Sequence, residues 1–179
     1  KQFGQGKESA YDTLGFNQAL YNAFDNAIRC NEFDQKPNEK GKIKPRFESN
    51  NANRLYGLRP NLINAGQLAG QNNQQADALK YFGMYVESAT NPLFNGVDKS
   101  KTPDTYLGEV ARVAGVYAFQ NKDYQLADKY VDVAMQDTAA YKDALNLKLY
   151  IMQQGLKTHE DSVQYVNKLK TLYEKDSNN

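Results

Sequence analysis

Apolar residues recur along this chain at helical spacing. Leu20, Ala23, Phe24, Ala27 and Ile28 stand at i, i+3, i+4, i+7 and i+8. That is one face of an amphipathic helix, predicted over about residues 9–32. Ala78, Phe82, Tyr85, Val86 and Ala89 repeat the pattern, as do Ala127, Tyr130, Val131 and Ala134, and then Tyr165, Val166, Leu169, Leu172 and Tyr173. Shorter helical segments rich in small residues are expected at 62–68, 107–119 and 144–152, and one more at 47–57. No long run alternates apolar and polar positions with β-branched side chains, so strands are not expected. The fold class read from this pattern is all-α.

Chain breakers fall where these helices should end. Pro60 suits the first turn of a helix, where its missing N–H has no intrahelical partner to lose. Asn91-Pro92 closes one helix, because the residue before proline is pushed out of the helical region. Pro103-Asp104 precedes the next start. Gly155 ends a helix, and Thr158 with Asp161 has the spacing of a capping box for the last one. Ala65-Gly66 and Ala114-Gly115 lie mid-helix, where small residues admit a close neighbour at a cost of about 1 kcal/mol of propensity per glycine.

The chain also repeats itself. A shift of 49 positions lays Ala65-Gly66 on Ala114-Gly115, Ala69 on Ala118 and Gln71-Asn72 on Gln120-Asn121. The same shift lays Ala78 on Ala127 and Lys80-Tyr81 on Lys129-Tyr130. Each unit reads helix, short polar turn, helix, the turns being Asn72 to Gln75 and Asn121 to Tyr124. A lone helical pair cannot bury its apolar face, so such pairs stack.

These units resemble tetratricopeptide repeats. In the second unit Ala114-Gly115 stands at the family's Leu-Gly pair, Asp123-Tyr124 at its Asp-Tyr turn, and Ala127, Val131 and Ala134 at its three second-helix core positions. In the first unit Leu62, Ala65, Gly66, Ala78 and Phe82 match, while Tyr85 replaces the last small residue. A third unit opens near Tyr141, carries Ala144, Leu147 and Gly155, and ends in Asp176-Ser177-Asn178-Asn179, close to the family's Asp-Pro-Asn-Asn. The family period is about 34 residues, and the surplus fits residues 91–105, read as a surface loop insertion. The resemblance implies a right-handed α-solenoid of stacked antiparallel hairpins. One domain is expected over 1–179: irregular N-terminal helices and a basic loop at 1–58, a first repeat at 59–91, a second at 106–140 and a third hairpin at 141–179. The strings Lys36-Pro37-Asn38-Glu39-Lys40-Gly41-Lys42 and Arg59 to Gln67 also resemble a group of exported repeat proteins of Bacteroidetes-type bacteria, which implies the periplasm or another exported location.

The resemblance further implies a concave groove lined by first-helix residues. By family position these are Ile63, Gln67, Gly70 and Gln71 in the first unit and Arg112, Val116, Phe119 and Gln120 in the second. Amides that bond a peptide backbone, with an aromatic anchor, suit an extended peptide or partner protein. The bland reading is that Val116 and Phe119 are core and the amides solvated. No full carboxylate-clamp set of Lys, Asn and Arg is found. An end hairpin without a solvating cap raises self-association through that end, or further repeats beyond this chain.

Composition narrows the chemistry. The 179 residues carry 22 Lys and Arg against 21 Asp and Glu, a net charge of +1. So balanced a chain is not expected to be a dedicated nucleic-acid or membrane-surface binder. One Cys and one His leave no disulfide framework, no Cys/His zinc site and no triad except one built on His159. His159 reads as a solvated helix-start residue, and Cys30 as a structural thiol beside the apolar face of the first helix. Gly4-Gln5-Gly6 follows no strand and reads as a flexible terminus, and Glu8 with Asp12 as a helix surface. The basic loop 36–46 could dock an acidic partner, against the plainer reading of a solvated linker. No stretch approaches the roughly 18 apolar residues of a membrane span. No signal segment precedes Lys1, so the targeting segment is expected outside this chain. No catalytic residue, metal site or cofactor is expected. The expected function is a non-enzymatic protein-interaction scaffold, with a small-molecule or glycan-binding helical module as the alternative and an enzyme disfavoured.

Overall fold

A computed structural model describes residues 12–101 and 103–175. Among these residues the chain is helical with no strand. The readings made at Gly4-Gln5-Gly6, at Glu8, at the first residues of the 9–32 helix and at Asp176 to Asn179 lie outside the described residues. Contacts divide the chain into two compact units, Lys1–Leu107 and Gly108–Asn179.

In the first unit α1 (Thr13–Asp34) starts where Asp12 caps it, the carboxylate accepting the Gly15 N–H at 2.8 Å. Its buried face is Asn17, Leu20, Phe24, Ala27 and Asn31. Ala23 of the expected stripe is exposed and Ile28 half-buried, so the face is turned slightly and ends in two asparagines. Next come α2 (Glu48–Leu55) and a 3₁₀ turn, Tyr56–Leu58, running directly into α3 (Arg59–Gln71) with Pro60 in its first turn. α4 (Gln75–Ala89) packs back on α3 and buries every residue from Tyr81 to Val86. It is covered on more than one side and carries more apolar surface inward than a single stripe.

The second unit holds α5 (Leu107–Gln120, its first residue at the unit boundary), α6 (Tyr124–Ala134), α7 (Tyr141–Gln154) and α8 (His159–Lys175). Asp123 caps α6, accepting the Leu126 N–H at 3.1 Å. The capping box of α8 is present and reciprocal. Asp161 N–H donates to Thr158 Oγ1 at 3.1 Å, and Thr158 N–H donates to Asp161 Oδ2 at 2.8 Å. Tyr165, Leu169 and Leu172 of α8 are half-buried, whereas Val166 and Tyr173 remain 47% and 64% exposed.

The 49-residue repeat holds at the level of bonds. Asn73 and Lys122 both take left-handed backbone, with φ of 58° and 62°. Around them Gln74 N–H reaches Ala69 O at 2.9 Å and Asp123 N–H reaches Ala118 O at 3.0 Å, again 49 residues apart. The mid-helix glycines make matching contacts. A Cβ on Gly66 would fall 2.6 Å from the Phe82 ring, and one on Gly115 would fall 2.9 Å from a Val131 methyl. In each hairpin, glycine is what lets the first helix lie against the second-helix core residue.

Residues 91–105 are not a plain surface insertion. Asn91 accepts the Leu93 N–H at 3.0 Å and opens a 3₁₀ turn, Pro92–Phe94. That turn buries Leu93 and Phe94 completely. The Phe94 ring lies 6.1 Å from Phe24 and 5.7 Å from Tyr56. Proline and polar residues dominate the stretch, and they mask two apolar anchors whose partners are distant in sequence. Phe94→Ala should therefore destabilise the first unit by about 3–5 kcal/mol, the range for removing a buried ring. A surface residue would cost less than about 0.5 kcal/mol. Urea unfolding followed by circular dichroism distinguishes the two.

Candidate functional site

The most deeply buried charge is Arg59, the first residue of α3, at 1% exposure. Its Nε donates to Ser88 Oγ at 2.8 Å, its Nη2 to Tyr85 O at 2.9 Å, and its Nη1 to Asp104 Oδ1. The guanidinium also stands 4.6 Å from the Tyr85 ring centroid and 5.1 Å from that of Tyr56. Tyr85 O–H donates to the same Asp104 oxygen at 3.1 Å, and Ser88 O–H donates to Tyr85 O at 2.9 Å. Burial first, then the Asp104 charge, pushes the Tyr85 phenol far above its ordinary pKa, and the same two causes raise Tyr56. Both rings stay neutral and wall the guanidinium, and Tyr85 also donates to Asp104. A guanidinium bonded to carboxylate, hydroxyl and carbonyl at once is an internal clamp. Sequence periodicity missed it because an arginine at a helix start reads as solvated. The signal available was Tyr85, the bulky departure from the repeat.

A second clamp joins α6 to α7. Lys148, 5% exposed, places Nζ 2.6 Å from Asp128 and 2.7 Å from Asp132. Burial alone would lower its pKa, but hydrogen bonds from the ammonium to both carboxylates outweigh it and the net shift is upward.

The expected groove residues are placed as follows within each unit. On α3, Ile63 and Gly70 are half-buried, while Gln67 and Gln71 are exposed. On α5, Val116 and Phe119 are half-buried and Gln120 is exposed. Phe119 packs its ring 5.6 Å from Tyr124. Arg112 is not free: its Nε and Nη2 grip Glu109 at 2.8 and 2.6 Å. Glu109 is held below its usual range by that hydrogen bond, and Arg112 is raised by it. This paired arginine presents little net charge to a ligand. The two sets lie 49 residues apart throughout: Ile63 with Arg112, Gln67 with Val116, Gly70 with Phe119, Gln71 with Gln120. Each set spans i, i+4, i+7 and i+8, a strip that flanks the face burying the small residues of its helix.

His159 is exposed at the start of α8, and Cys30 is half-buried with a free thiol. Among the described residues no group of His, Cys, Asp and Glu side chains is arranged to hold a metal ion. No helix there is long and apolar enough to cross a membrane. No family model, curated protein or solved structure matches the chain.

Two outcomes follow from the clamps. Arg59→Met should cost about 3 kcal/mol, the low end for breaking a buried ion pair, because Asp104 keeps 21% exposure and can rehydrate in part. Adding Asp104→Asn should recover some of that loss, as a double-mutant cycle by urea unfolding would show. For Lys148 the folded pKa lies above the unfolded one. Its stabilisation is therefore complete below the ordinary lysine value of about 10.4 and is lost as pH rises through the higher folded value. Lys148→Met should lower stability by about 1 kcal/mol at neutral pH. Unfolding midpoints measured across alkaline pH should show that difference shrinking.

Proposed function

We propose that the chain is a non-enzymatic interaction scaffold built of tetratricopeptide-like hairpins, a right-handed solenoid in type, that binds extended segments of partner proteins. One observation carries the reading. Two hairpins with the same turn and the same glycine contact each present a strip of amide and half-buried apolar side chains at equivalent positions. Repeating units that vary only on one helical face are how helical-repeat proteins build recognition surfaces. Exposed Gln67, Gln71 and Gln120 can donate to and accept from a peptide backbone, and in the second unit half-buried Phe119 offers an apolar edge one residue from Gln120. The two buried cations, Arg59 and Lys148, are bonded inward in the clamps, which supports a scaffold over a reaction centre. The resemblance to exported repeat proteins is the reason to look for the protein in the cell envelope.

A selection from a displayed library of linear peptides tests this. Enriched peptides should bind the parent chain. Affinity should fall about tenfold when Gln71→Ala and Gln120→Ala are combined, the loss expected from a few direct interface hydrogen bonds. Both positions are exposed, so the thermal midpoint should not move. Failure to enrich any peptide, or affinity unchanged in the variant, overturns the peptide-scaffold reading. A thermal shift with a sugar or metabolite would favour the small-molecule alternative.

A further inference from the structure

Residues 33–47 hold five of the chain's 22 basic side chains and two of its 21 acidic ones, so this stretch carries +3 and the remainder −2. The near-neutral total conceals that segregation. Every residue from Gln35 to Phe47 is exposed, yet hydrogen bonds tie the loop at its base and at its tip. At its base the Asp34 carboxylate accepts the backbone N–H groups of Arg46 and Phe47 at 2.5 and 2.8 Å, and Gln35 donates to Glu48 at 2.7 Å. At its tip the Asn38 side chain accepts the N–H groups of Lys40 and Lys42 at 2.9 and 3.1 Å. Gly41 takes the positive φ of 69° that this turn requires. The cations Lys36, Lys40, Lys42, Lys44 and Arg46 are thus presented by a hydrogen-bonded loop. The ordering entropy that weakens contacts to a floppy linker is largely removed in advance.

Large apolar side chains stand among these cations. Phe33, Ile43 and Phe47 are 68%, 55% and 53% exposed. We propose that this loop docks on an anionic bilayer surface, its ammonium groups facing the lipid headgroups and its apolar side chains entering the interfacial layer. Four of the five cations are lysines. Lysine is depleted in protein–protein interfaces, where arginine is enriched, and its compact hydrated charge suits diffuse attraction to a charged surface. Basic clusters of this size are attracted to acidic leaflets by about 1 kcal/mol per side chain near the surface. Exposed Phe and Ile add the insertion that phosphate contacts with a nucleic acid would not use.

The test is co-sedimentation of the full chain with vesicles of phosphatidylcholine alone, and with vesicles of equal parts phosphatidylcholine and phosphatidylglycerol. The chain should pellet with the mixed vesicles and not with the neutral ones, and added salt should release it. Lys40→Gln, Lys42→Gln and Lys44→Gln together should lower the partition coefficient about tenfold or more. Phe33→Ser with Ile43→Ser should lower it too. All five positions are exposed, so circular dichroism and the thermal midpoint should match the parent. Equal binding to both vesicle types, binding to neither, or a lysine variant that pellets like the parent overturns the proposal. Stronger binding to polyglutamate or to a single-stranded oligonucleotide than to the mixed vesicles also overturns it, and assigns the loop to a protein or a nucleic acid.

Discussion

The position of Arg59 constrains the whole first unit. A guanidinium at 1% exposure must have its donors met inside the protein, and three partners here meet them. It draws Ser88 and the Tyr85 carbonyl from the end of α4, and the carboxylate of Asp104 from the end of the 91–105 insertion. The start of α3 is thereby tied to the end of α4, and a long insertion is pinned at its far end. Leu93 and Phe94 hold its near end in the core. A buried ion pair adds little net stability over an apolar filling of the same volume, because desolvation offsets the Coulomb gain. Its consequence is geometric. A shift of α3 along α4 would draw Arg59 off Ser88 and the Tyr85 carbonyl.

Comparing the two hairpins shows what the clamp displaced. Forty-nine residues beyond Arg59, Tyr85 and Ser88 stand Gly108, Ala134 and Asp137. A Cβ on Gly108 would fall 2.2 Å from Asp137, so there the helix start closes directly on its neighbour. One hairpin fills this end with an arginine, an aromatic ring and a hydroxyl; the other shuts it with small residues. The bulky Tyr85 at a position where the repeat asks for a small side chain is thus one part of a compensated set. Turn and glycine contact recur, whereas the end where the insertion attaches differs, and so do three of the four strip positions.

Three of the less exposed cations are paired with carboxylates inside their own unit. Arg112 is gripped by Glu109, Lys148 by two aspartates, and Arg59 by Asp104. In the loop between α1 and α2 five cations stand exposed within eleven residues, and the Asp34 carboxylate at the end of α1 is engaged by backbone N–H groups at its base. A whole-chain charge near zero therefore describes neither the paired interior nor that loop.

The helices and their repetition were legible in the residues themselves. Periodicity at 3.6, proline at a helix start, the Thr158–Asp161 cap and the 49-residue offset are local or translational patterns, and local backbone physics reads them directly. The face of α1 was legible only approximately, because Asn17 and Asn31 at its ends carry no hydrophobic signal. The pairing of Arg112 with Glu109 was not legible, since spacing alone does not say which neighbour a charge will choose. Burial of Arg59 and of Leu93-Phe94 was decided by tertiary structure. Each depends on partners that lie about 30 to 70 residues away in sequence, and no local pattern encodes what a folded chain brings to one point. The sequence by itself determined which segments are helices and that two of the pairs are alike. The tertiary structure decided which charges lie inside, because burying a charge is favourable only where its partners have already been assembled.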